Sequence, residues 1–299
     1  MNKLNLHKSI ISRLELIGSP YQLSILRILF SIQIFYNSYS RIFELFKKGI
    51  GTNHTFTIFQ IFDIQTVINN ILLDPLQVIV LISSLFFAIG LFTRVIAPIL
   101  SLSYLILYSV HYSYFDAPLP WLYIWFPLFI LSFSNCSDVL SIDSFQRSAK
   151  NKSEKASNLY RWPVELIRSW FVYIYFSAGI AKIFPLVNGF DWTNGGISQK
   201  IVYERYLDSI LHQIFSRPFF DYSEENILFA FLSIGAVIIE LSTIIVLFTS
   251  RYNLLILFLI LSMHSFLFLI GVPGFGILSL ILGVSLFPPK WFNGFFKKN

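Results

Sequence analysis

Residues 227 to 249 read ILFAFLSIGAVIIELSTIIVLFT, a continuous apolar run interrupted by one ionisable side chain, Glu240. A strand of a membrane barrel alternates apolar and polar residues over roughly ten positions, whereas a spanning helix needs about 20 consecutive apolar ones. The run therefore predicts a transmembrane α-helix. The rest of the 299 residues follow the same pattern: 55% are hydrophobic, 18% aromatic and only 13% charged, and the mean hydropathy is +0.67. A soluble domain of this length does not have that composition.

Apolar stretches of spanning length predict an all-α, polytopic transmembrane bundle of about eight spans. They fall at 22 to 45, 76 to 93, 95 to 113, 119 to 134, 163 to 184, 227 to 249, 253 to 271 and 274 to 288. The fourth and the last are short, so the count is seven or eight. No cleaved signal peptide is evident, because Lys3, Lys8, Arg13 and Glu15 interrupt the first 21 residues. With the N-terminus in the cytoplasm, Arg94, the basic 135-to-162 loop, Arg251 and the Lys297 and Lys298 tail all fall inside. That is the positive-inside distribution, with both termini cytoplasmic in a cell membrane. It accounts for the formal charge of +6 without nucleic acid as a partner; membrane lipid is the partner expected. Lys47 and Lys48 fit only if they snorkel. The connector SAKNKSEKASN at 148 to 158 reads as a flexible loop. The whole chain, 1 to 299, is expected to be one membrane domain with no folded soluble domain beside it.

Charge within the apolar spans is the functional signal. Arg27, Arg168, Glu240 and His264 each lie inside a predicted span, and a lipid-facing charge at such depth costs roughly 2.5 kcal/mol or more. They are expected to face the interior and to pair. Counted along the helix axis, Arg168 and Glu240 stand at similar heights, so an Arg168 to Glu240 ion pair is the natural structural arrangement. Lys182 lies near the outer end of its span, where two readings stay open: it points into the bundle, or it snorkels to the interface with Tyr175 and Trp192 as aromatic anchors. The outer segment 186 to 226 is acidic, and its 197-to-222 part is long enough for a helix lying on the membrane surface. The IGVPGFGIL stretch around Gly271, Pro273, Gly274 and Gly276 predicts a tight hairpin between the last two spans.

Several chemistries are unsupported. The single cysteine, Cys136, excludes an intrachain disulfide and a cysteine-based metal site. No histidine has a second ligand three or four residues on, so no metal is predicted. No phosphate-binding glycine loop, Gly-x-Ser-x-Gly or HExxH occurs.

The stretch YFSAGIAKI at 175 to 183, followed by DWTNGG at 191 to 196, resembles the equivalent span of vitamin K-dependent gamma-glutamyl carboxylases and of the bacterial HTTM (horizontally transferred transmembrane) proteins. The similarity continues in order along the chain through SPYQLSILRILF with Arg27, FFAIGLFTR with Arg94, SFSNCSDVLSID, LIR with Arg168, ELSTIIVLFTSR, MHSFLFLIG and FPPKW. The resemblance implies that Lys182 matches the lysine base that deprotonates reduced vitamin K, the first step of a reaction that carboxylates a peptide glutamate. A lysine withdrawn from water can serve as a neutral amine that accepts a proton. The implied cofactor is a reduced quinone of vitamin K or menaquinone type, in a pocket that draws on Glu240, His264, Asp191, Trp192 and His111. Arg27 and Arg168 are then the structural partners of the pocket groups.

This sequence departs from the carboxylases in three places. Their Asn-His pair aligns with Leu119 and Pro120 here, leaving His111 as the candidate substitute. The lumenal domain that binds the substrate propeptide in the carboxylases has no counterpart in these 299 residues, so substrate recruitment is expected from a partner protein. Trp170 stands where those enzymes have glutamine. These departures favour a helper in the maturation or export of a secreted peptide or toxin, similar to the sporulation-delaying protein B group. The alternatives are a quinol-dependent carboxylase-like enzyme with Lys182 as base, and a transport or structural bundle.

Overall fold

The computed structural model describes residues 17–48, 73–114, 122–148, 158–184, 190–205, 209–215, 227–269 and 276–296. Among these residues the regular elements are all helical. In chain order they are α1 (Pro20–Lys48), α2 (Leu73–Ile89), α3 (Thr93–Tyr114), α4 (Leu122–Ser132), α5 (Ile142–Ser148), a 3-10 turn at Asn158–Tyr160, and α6 (Arg161–Ile183). There follow α7 (Phe190–Thr193), α8 (Gly196–Arg205), α9 (Ile210–Phe215), α10 (Ile227–Ser242), α11 (Ile245–Phe248), α12 (Asn253–Leu269), α13 (Gly276–Leu286) and α14 (Pro289–Phe296).

By length and composition, Ile227–Phe248 is the one described stretch long and apolar enough to cross a membrane. Pro75–Ile89, Thr93–Leu107, Tyr123–Ser132 and Asn253–Leu269 are apolar but shorter. Helix α6 has the length, yet Arg161, Glu165, Arg168 and Lys182 all lie on it. The surface helix expected over 197 to 222 is, in its described part, the two short helices α8 and α9. The expected hairpin at 270 to 275 and most of the 148-to-158 connector lie outside the described residues.

The chain forms two compact units, Met1–Ile167 with Pro288–Asn299, and Arg168–Phe287, so the boundary falls within α6. In the first unit α1 packs on α2, α2 on α3, α3 on α4, and α14 returns against α1. Leu23, Leu26, Phe30 and Ile34 recur at helical spacing on α1 and are fully buried. Helix α14 is fixed to the start of α1 by the Ser19 hydroxyl, which donates to Asn293 Oδ1 at 2.7 Å, and by the stacked rings of Tyr21 and Phe296.

The fully buried Arg27 does not meet a carboxylate. Its guanidinium donates to the carbonyls of Cys136 (2.8 Å), Ala88 (3.3 Å) and Leu140, tying the end of α2 to the loop before α5. Ser24, one turn earlier, donates to the carbonyls of Cys136 and Val139, both at 2.9 Å. Those carbonyls have no helical partner, and side-chain donors satisfy them. Gly90 allows this approach: its φ is +70°, and a Cβ there would fall 2.3 Å from Ser141 Cβ and 2.7 Å from Arg27 Nη1.

The Asp143 carboxylate caps the next helix by accepting from the Phe92 and Thr93 amides, each at 2.8 Å. Partial desolvation raises its pKa, but the hydrogen bonds from Thr93 and Phe92, with the Arg147 charge, outweigh this and hold it below the usual carboxylate value. Burial pushes the Cys136 thiol up to about 11, so it is an inert packing group.

In the second unit α10 packs on α12, α12 on α13, and α7 and α8 on α10. Gly195, at φ +89°, brings its backbone so close to Ala230 N that a Cβ would lie 2.4 Å away. One turn on, the Ser198 and Ser233 hydroxyls hydrogen-bond, and Val202 packs with Phe229. Arg168 donates from Nε (3.1 Å) and Nη2 to the Ser285 carbonyl, and Asn253 Nδ2 donates to the Leu286 carbonyl at 3.0 Å. Together they satisfy carbonyls at the C-terminus of α13.

Gly90→Ala adds a methyl group against the guanidinium and forces an alanine into the left-handed region. It is expected to destabilise the protein by about 1–3 kcal/mol, read as a lower thermal unfolding midpoint in detergent. An unchanged midpoint would show that Gly90 does not constrain the Arg27 network.

Candidate functional site

Tyr175, Gly179 and Lys182 stand at i, i+4 and i+7 on α6 and so share one face of that helix. The glycine brings α10 close: a Cβ on Gly179 would lie 3.0 Å from Leu241 Cδ2 and 3.1 Å from Glu240 Cβ. One turn further, Lys182 Nζ forms an ion pair with Glu240 Oε1. The side chains are 16% and 8% exposed respectively. Lys182 therefore points inward within this unit and does not extend away as a snorkelling lysine would. Trp192 of α7 covers it, with Nζ 4.9 Å from the ring centroid, a cation–π distance.

One turn before Gly179, the Tyr175 hydroxyl meets His264 Nε2 of α12 at 2.6 Å. Both residues are buried. The bond runs in either sense: the phenol donates to a bare Nε2, or a protonated Nε2 donates to the phenol oxygen. Both pairs stand on the same face of α6, about two turns apart, and so form one cluster drawn from α6, α7, α10 and α12. Glu240 Oε2 is buried and has no hydrogen-bond partner among the described residues, which leaves a strong acceptor available within the cluster.

Of the residues predicted from sequence, Lys182, Glu240, Trp192 and His264 come together. Asp191 belongs to α7 and His111 to α3, but their side chains lie outside the described residues, as do Leu119 and Pro120. The expected Arg168 to Glu240 pair does not form. Glu240 pairs with Lys182, and Arg168 serves the Ser285 carbonyl. Arg27 likewise serves backbone carbonyls and is no partner of Glu240. The physical reason is common to both arginines: unsatisfied carbonyls at helix ends and loops need donors, and a planar guanidinium supplies several at once. From sequence, Tyr175 has a role only as an anchor in the snorkelling alternative for Lys182, and Gly179 has none; the i, i+4, i+7 spacing with Lys182 is the signal that joins them. Among the described residues no three His, Cys, Asp or Glu side chains stand close enough to hold a metal ion.

Helical units whose apolar helices carry a lysine–carboxylate pair and a phenol–imidazole pair are the build of a membrane domain. The chain belongs to the HTTM family: the family's HTTM domain matches residues 18–291, nearly its whole length. HTTM is a membrane domain, and the likeness to the carboxylase membrane domain fits that membership. No curated protein and no solved structure matches the chain.

Removing one partner of the Lys182 to Glu240 pair leaves a buried charge. Lys182→Met and Glu240→Met are each expected to destabilise by roughly 3 kcal/mol, while the double variant recovers most of that loss. Unfolding in detergent measures the cycle. Additive losses would mean that the two groups do not interact.

Proposed function

We propose that the Lys182 cluster is an intramembrane base site for a lipid-soluble acidic hydroxyl compound, of which a reduced quinone is the class that fits best. The observation that carries the reading is the inward Lys182 to Glu240 pair beneath an indole. When Glu240 holds the shared proton, Lys182 is a neutral amine able to take a proton from a bound hydroxyl. Trp192 offers a flat apolar surface to a ring, and the Tyr175 to His264 pair supplies a second hydrogen-bonding group on the same helix face. A reduced quinone, when bound, supplies the acidic hydroxyl and the redox capacity that these side chains lack. On this reading the chain is multi-pass, with about eight spans and cytoplasmic termini, and the cluster lies toward the outer leaflet. Its basic loops on one side and acidic 186-to-226 segment on the other support that topology.

A second reading rests on a specific observation. By the resemblance, Leu119 and Pro120 stand where the carboxylases have their Asn-His pair, which favours a helper in the maturation or export of a secreted peptide, acting with a partner protein. The Lys182 cluster would then chiefly join α6 to α10.

Mass spectrometry of quinones extracted from protein purified in mild detergent separates the two. The base-site reading predicts about one quinone per wild-type chain, by the ordinary occupancy of a mostly apolar pocket with a few placed polar groups, and its loss in folded Lys182→Ala. Absence of quinone from both folded proteins would leave the helper reading.

A further inference from the structure

Within the first unit, a small, partly open cleft lies beside the start of α3 and the end of α4. Thr93, Arg94, Ser132, Ser134, Asn135 and Arg147 contribute to its lining. Two of these are unengaged. Among the described residues, neither the exposed Arg94 guanidinium nor the half-buried Asn135 carboxamide makes a hydrogen bond or an ion pair. Two strong donors facing one cleft without partners suit an anionic oxygen ligand.

The other charges are accounted for. Asp138 also lines the cleft, but Arg147 Nη1 occupies its Oδ1 at 2.9 Å and the Tyr160 hydroxyl its Oδ2 at 2.8 Å. The Arg147 Nη2 donates to the Ser137 carbonyl at 2.8 Å. The α3 amides are not the attraction, since Asp143 already takes those of Phe92 and Thr93. Two guanidinium charges thus face one carboxylate, so the cleft carries a net positive charge.

Beside the cleft, apolar side chains continue along both helices. Val95, Ile99 and Leu102 form an exposed stripe at i, i+4 and i+7 on α3, and Phe129 and Phe133 stand exposed at i and i+4 toward the end of α4. A polar, positively charged cleft on helices that also carry exposed apolar stripes suits a lipid, with an anionic head in the cleft and chains along the helix.

We propose that this cleft binds the headgroup of an anionic phospholipid, with its phosphodiester on Arg94 and Asn135 and its acyl chains along the α3 stripe. A zwitterionic headgroup is disfavoured because its ammonium would lie beside the guanidinium charges of Arg94 and Arg147.

Native mass spectrometry of the full chain tests the assignment, with phosphatidylglycerol or phosphatidylcholine added at equal concentration. Arg94 is exposed and makes no contact that folding needs, so Arg94→Gln retains the fold. Wild type is expected to retain one phosphatidylglycerol about tenfold better than phosphatidylcholine, and Arg94→Gln to lose that preference. Equal retention of the two lipids by wild type overturns the proposal, as does a preference that survives Arg94→Gln. Displacement of phosphatidylglycerol by an equal concentration of inorganic phosphate would assign the cleft to the free ion and overturn the lipid assignment.

Discussion

An ammonium group away from water needs a counter-charge, and the arrangement of the second unit around Lys182 follows from that need. Glu240 meets it from α10, and Gly179 lets α10 come near enough for the two side chains to join. Trp192 closes over the amine from α7. The turn that carries this tryptophan is seated by the Gly195 contact with Ala230 and by the Ser198 to Ser233 hydrogen bond. A pair of this kind is weak as a source of net stability, because desolvating both ions costs nearly what their attraction returns. On α6 the pair shares one helix face with the Tyr175 to His264 contact.

The arginines have a different task. Arg27 and Arg168 are both buried, and both guanidinium groups are directed at carbonyl oxygens left over at the ends of helices or in loops. Each belongs to its own unit and organises it locally: Arg27 gathers the end of α2 and the 136-to-140 loop, while Arg168 works with Asn253 at the end of α13. In an apolar environment an unmet carbonyl costs several kcal/mol, so a multi-donor side chain at these places is economical. The buried arginines therefore serve the backbone, while Lys182 and Glu240 serve each other.

Much of this was legible in the residues. Long apolar runs specify helices, and a lone Glu240 within the most apolar of them had to face inward. The pairing was less legible. Counting 1.5 Å per residue gives height along a helix but not the face on which a side chain emerges, so similar depth alone pairs Arg168 with Glu240. Face follows from periodicity, and the spacing of Tyr175, Gly179 and Lys182 carried that information for α6. The break between α8 and α9 was not foreseen, because an apolar and charged mixture over 197 to 222 does not reveal where a helix stops when no proline or glycine interrupts it before Pro218.

The most direct test of the inward lysine is amine footprinting of the intact protein in detergent, with the labelled sites read by mass spectrometry. Lys200, on the same unit and 74% exposed at its side chain, is the internal reference against Lys182 at 16%. The account predicts that Lys182 stays essentially unmodified while Lys200 is labelled, and that Glu240→Gln brings Lys182 into reaction. Labelling of Lys182 as fast as Lys200 in the wild-type protein would contradict it, placing the amine at the interface and removing the base from the proposed site.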